Sequence, residues 1–198
     1  MRLFVAIDFN ELKDYFVDLQ KHLPSNAKLS LVKSFHLTLK FLGDVQPNNV
    51  DEIIDNLKKI KFNTFSVNLD SIGIFPTENY IRVVWVGLSP EEKIIELQKQ
   101  TDESLKNLFK KEKDFKAHIT LARVRYPADK KSFVDGIKKI KVESKKIETL
   151  NLEQTLNKFA DKLKDRIIEV KNKKETIYIY PENFSAIDIN SPKGKAFR

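Results

Sequence analysis

Two short segments constrain this chain more than anything else in it: FHLTLKFLG from Phe35 and AHITLARV from Ala117. Both alternate polar and apolar residues, as a strand with one buried face does. In the first, His36, Thr38 and Lys40 share one parity, and Leu37, Leu39 and Phe41 share the other. In the second, His118, Thr120 and Ala122 stand against Ile119, Leu121 and Arg123. Each strand therefore turns a histidine and a threonine to the same side. One His-x-Thr occurs by chance in many chains. Two of them, each in a matching place, say far more. Arg2 opens RLFVAIDFNELKDYFVDLQK and Arg82 opens RVVWVGLSPEEKIIELQKQ, two strand-then-helix patterns 80 residues apart; His36 and His118 are 82 apart. Halves starting near residues 2 and 82, set face to face, bring both His-Thr pairs to one cleft.

The remaining pattern fills in around these strands. Residues 3–7 read as a strand. Residues 10–23 read as a helix ended by Pro24, with His22 in a structural role near its end. An edge strand is expected over 28–32. A helix follows from Asn48 or Asn49 through Ile60, then strands over 65–69 and 80–88 joined by a loop over 73–79. Pro90 starts another helix, which runs to Leu108. After Pro127 the chain is Lys-rich, with an amphipathic helix over 152–168, a last strand in TIYIY, and a frayed end over 193–198.

Two imidazoles facing a phosphate can divide the work of general base and general acid, since their ordinary pKa lies near neutrality. Two threonine hydroxyls beside them can hold non-bridging oxygens as charge builds on phosphorus. Nothing in this scheme needs a metal or a cofactor. With no cysteine and three histidines, thiolate chemistry and the usual zinc motifs are excluded. A formal net charge of +8 suits a partner rich in phosphate, and an oligonucleotide better than a small metabolite. The apolar run at the N-terminus already contains Asp8 and is too short to span a membrane, so a cytoplasmic protein is expected.

The paired segments resemble the His-x-Thr motifs of the 2H phosphoesterase superfamily. Together with MRLFVAID, HLTLKFLGD, SIGIFPTENYIRVVWVG and HITLARV, they are most similar to its RNA 2',3'-cyclic phosphodiesterases, also called 2'-5' RNA ligases. The resemblance covers residues 1–126. It implies an α+β, bilobal LigT-like fold: two pseudo-symmetric lobes whose antiparallel sheets form a central cleft, with helices outside, all in a single domain spanning residues 1–198. It implies hydrolysis of an RNA terminal 2',3'-cyclic phosphate to a 2'-phosphate, reversible as 2'-5' ligation. By position His36 is the acid, His118 the base, and Thr38 and Thr120 hold the phosphate; the residues alone leave the two histidine roles interchangeable. RNA ends, tRNA fragments among them, are the implied partners of a monomer.

Arg123 matches an arginine that follows the second motif in this branch. Strict parity turns it away from the cleft, so a bulge would be needed to bring it back. Lys40 shares the parity of His36 and is a candidate for an RNA phosphate. Phe9, Phe75 and Tyr80 are candidates for stacking on a base. Residues 128–198 depart from the family pattern. Two other readings remain: a sister phosphodiesterase acting on 2',5'-linked oligonucleotides or small cyclic phosphates, and a non-catalytic RNA-binding protein.

Overall fold

The computed structural model describes residues 2–63, 65–148 and 176–179. They form strands β1 (Arg2–Asp8), β2 (Ala27–Leu31), β3 (His36–Asp44), β4 (Ser66–Thr77), β5 (Tyr80–Ser89), β6 (His118–Pro127), β7 (Lys146–Glu148) and β8 (Thr176–Ile179). The helices are α1 (Lys13–Lys21), α2 (Val50–Leu57), α3 (Glu91–Ser104) and α4 (Lys130–Lys138). Among the described residues no helix is long and apolar enough to cross a membrane.

The strands run in the order β7-β4-β5-β6-β3-β1-β8, with β2 also on β6. Among the described strands only β8 pairs in parallel, against β1. Strand β6 pairs with β5 along one edge. Its other edge meets β3 at a single pair, Leu37 opposite Ile119, and then β2 from Ala122 to Pro127. That single pair is the seam between two lobes, β8-β1-β3 and β7-β4-β5-β6-β2. The architecture is the bilobal α+β one expected.

Every helix covers the same face of these strands. Helix α2 presents Val50, Ile53, Ile54 and Leu57, one apolar stripe at helical spacing. These join Phe16 and Leu19 of α1, Ile94 and Leu97 of α3, and the strand residues Leu37, Leu39, Ile119, Leu121 and Val86 in one core. A second cluster packs Phe133, Val134 and Ile137 of α4 on Val84, Ala122 and Val124. The opposite face carries the intervening residues, histidines included.

Three differences from expectation have physical causes. The loop expected over 73–79 is mostly strand: β4 continues to Thr77 because Ile72 and Ile74 pack on the second cluster while Gly73 and Phe75 take the other face. Helix α4 was hidden in the lysine-rich stretch. Its start is capped by Asp129, whose Oδ1 accepts from the backbone N–H groups of Lys131 and Ser132 at 2.9 and 3.4 Å. Strand β7 pairs with the start of β4, a partner some eighty residues away that local pattern cannot reveal. The TIYIY strand is present as β8 beside β1, whereas the helix expected over 152–168 and the end over 193–198 lie outside the described residues.

Candidate active site

His36 and His118 each open a strand, and burial repeats position for position over the first seven residues of the two strands. The histidine and threonine are half-buried and the second, fourth, fifth and seventh positions are buried. The sixth, Phe41 or Arg123, is exposed. Two consecutive buried residues break the alternation at the same place in both strands. Register supplies the reason. Ala6 faces Thr38 and Val5 faces Lys40, leaving Leu39 as an extra residue. Trp85 faces Thr120 and Val84 faces Ala122, leaving Leu121 extra. Each histidine strand thus carries a bulge three residues after its histidine, and the side chains that follow change face as far as the next register shift, at Leu42 in β3 and at Arg125 in β6.

The seam sets the four motif residues together. Leu37 and Ile119 are fully buried and face the core. One step either way along that antiparallel register puts His36 across from Thr120 and Thr38 across from His118, all on the outward face.

The bulges sort the other candidates. Arg123 is returned to the histidine face, opposite Val83, exposed and close enough for its charge to act on His36. Lys40 goes the other way, which corrects its expected contact with RNA. Only 1% exposed, its ammonium sits 2.5 Å from Asp102 Oδ1 and donates to the Lys110 carbonyl at 2.6 Å. Asp102 Oδ2 accepts from Gln98 Nε2 at 2.7 Å and from the Glu112 N–H at 3.0 Å. Phe9 is also corrected: its ring is 3% exposed in the core with Phe16 and Phe35, because the chain turns inward after β1. Phe75 lies on the outward face, stacked on Trp85 at 4.9 Å and met edge-on by His118 at 4.8 Å. Gly73 lets Trp85 lie flat, since a Cβ there would overlap the indole ring. Tyr80 is exposed at the end of the β4–β5 hairpin, beneath the Arg82 guanidinium at 4.4 Å.

Three aromatic residues of the site escaped the sequence reading. Phe4 lies 5.0 Å from the His36 ring, Phe41 lies 6.0 Å from Phe4, and Trp85 backs His118. The signal for Phe41 was available: aligning HLTLKF with HITLAR puts it level with Arg123.

Burial sets the electrostatics. His36 is pushed down to about 4 by desolvation, then by the charges of His118 and Arg123. His118 is lowered too, by burial, and partly restored by its bond to the Lys116 carbonyl. Its Nδ1 lies 2.8 Å from that oxygen. A carbonyl only accepts, so Nδ1 holds the proton and neutral His118 offers the lone pair of Nε2. Asp8, opposite His36 in the β1–β3 register, is raised to about 7 by burial despite accepting from Asn10 N and Nδ2 at 2.6 and 2.9 Å. Outside this site His22 closes α1, its Nδ1 2.9 Å from the Asp18 carbonyl oxygen.

The model of the LigT-like phosphoesterase family matches the chain twice, over residues 7–85 and 86–168, and the chain belongs to that family, within the 2H superfamily. It is 39% identical over 144 residues to an RNA 2',3'-cyclic phosphodiesterase of Methanocaldococcus jannaschii, covering 71% of this chain and 82% of that one. A protein of the same name from Methanothermobacter thermautotrophicus is 30% identical over 165 residues, covering 78% and 90%. Among solved structures, TT0787 of Thermus thermophilus superposes with a TM-score of 0.54 at 23% identity, over 75% of this chain and 81% of that one. E. coli LigT complexed with 3'-AMP gives 0.52 at 23%, over 73% and 80%. At these identities the structural likeness is one of fold.

Proposed function

We propose that this phosphoesterase opens the 2',3'-cyclic phosphate at an RNA end to a 2'-phosphate, using His36 and His118 as an acid–base pair without a metal. The observation that carries this reading is the meeting of the two His-Thr pairs on one face across Leu37 and Ile119. The names of the relatives supply the substrate. His118 Nε2 takes a proton from water, the water oxygen bonds to phosphorus, the P–O3' bond breaks, and His36 gives its proton to O3'. Thr38 and Thr120 donate to the non-bridging oxygens. His36 is mostly neutral in the free protein, so the reading requires the phosphodiester anion to raise its affinity for a proton on binding. With a 5'-hydroxyl in place of water, the same steps form a 2'-5' linkage, and run backwards they cleave it.

The two lobes repeat one unit in this reading, β1–α1–β3 and β5–α3–β6, with a divergent region from residue 128. Both histidines come from one chain, so a cytoplasmic monomer suffices. The test is product analysis on a short RNA ending in a 2',3'-cyclic phosphate, in EDTA. A 2'-phosphate product from the wild type, lost by orders of magnitude in both His36→Ala and His118→Ala, is expected. Untouched RNA would overturn the reading.

A further inference from the structure

The outward face of β6 continues past the histidines. Arg123 shares it with Thr120, as their partners Val83 and Trp85 show. On the other edge Ser30 faces Arg123 and Lys28 faces Tyr126, with Arg125 as the extra residue between the two pairings. Ser30 and Lys28 alternate onto one side of β2, so Arg123 and Tyr126 share a side as well. The core side of the same stretch is occupied by Val124 and Leu29. His118, Thr120, Arg123 and Tyr126 therefore form one line, with Lys28 beside its far end. At a strand rise of about 3.3 Å per residue this line runs roughly 25 Å, beyond the reach of a single nucleotide.

The residues on it suit a nucleic acid strand. Tyr126 is 77% exposed, the most open of the large hydrophobic side chains among the described residues. Lys28, Arg123 and Arg125 are exposed and form no ion pair with a described residue, while seven other pairs engage Lys21, Lys40, Lys93, Lys106, Lys111, Lys138 and Lys145. An open aromatic ring between cations, continuous with a phosphate-handling site, is how proteins hold single strands: stacking for a base, charge for the backbone.

We propose that the outward face of β6 and β2 is a track for single-stranded RNA upstream of the reacting end, with Tyr126 stacking on a base and Arg123, Arg125 and Lys28 meeting its phosphates. The proposal rests on the phosphoesterase reading for which end lies at the histidines. It makes the enzyme one for RNA ends several nucleotides long, with cyclic mononucleotides as poor substrates.

Rates on a cyclic mononucleotide and on a cyclic-ended RNA of about eight nucleotides test it. Tyr126→Ala should lower kcat/KM on the long RNA by about tenfold, through KM, and leave the mononucleotide within about twofold; Tyr126→Phe should keep most of the wild-type rate. Lys28→Gln should act in the same direction by less. Equal effects on both substrates, or none on the long RNA, would overturn the track. If the wild type cleaves neither, the phosphoesterase reading fails on its own. Fluorescence anisotropy with a labelled RNA of the same length then decides the track: weaker binding by Tyr126→Ala supports it, and equal binding sinks it.

Discussion

Asp8 and His36 stand opposite one another in the β1–β3 register, and burial disfavours the charged form of each. The consequences for stability have opposite signs. His36 falls from 6.5 to about 4 on folding. Between those values the unfolded chain holds a proton that the folded protein lacks, so this group makes stability rise with pH, by about 3 kcal/mol across the window. Asp8 rises from 3.8 to about 7, so the folded protein holds the extra proton and stability falls as pH rises through that range. The two slopes oppose each other between about pH 4 and 6.5. Urea unfolding across this window should therefore be steeper in pH, in the rising sense, for Asp8→Asn than for the wild type. His36→Gln should shift the slope in the falling sense. Two variants with the wild-type slope would mean that neither group changes its proton affinity on folding.

The two bulges are what make β3 and β6 more than alternating strands. One sends Lys40 into the core and the other holds Arg123 on the reacting face. Parity counted along the sequence misplaces both by one residue, since a bulge depends on the neighbouring strand's register and leaves no mark in the strand's own pattern. The Lys40–Asp102 pair then ties β3 to the end of α3 and to the segment leading towards His118. Both side chains are almost wholly buried, so removing one partner strands the other. Lys40→Met or Asp102→Leu alone should lower the free energy of unfolding by about 3–5 kcal/mol. The double variant should recover most of that loss, because an apolar pair avoids the desolvation penalty. Denaturant titration of the three variants checks it, and a double variant no better than the worse single one would contradict this account.

At the scale of the whole molecule, the described helices lie on one face of the sheet, and the histidines and the basic residues of β6 and β2 lie on the other. A net charge of +8 draws a polyanion towards the protein, and Lys28, Arg123 and Arg125 receive it on that second face. Hydrolysis of a long RNA below saturation should fall steeply with salt, with a logarithmic slope of roughly −2 if about three phosphates are met. A cyclic mononucleotide should show a shallower slope. Parallel slopes for the two substrates would mean that the basic surface lies away from the RNA.

The chain's own sequence determined the motif pairs, the strand–helix–strand order repeated at His36 and His118, and the placing of each histidine and its threonine on one side of an alternating strand. These are local properties: two residues per strand repeat, 3.6 per helical turn, and one apolar face for each element to bury. Only the tertiary structure decided that Leu37 meets Ile119, that the strands bulge at Leu39 and Leu121, that Phe9 turns inward, and that Phe4 stands against His36 and Trp85 against His118. Each of these rests on contacts between residues far apart in the chain. Register between strands is chosen by how their faces pack together, and no single strand carries that information alone.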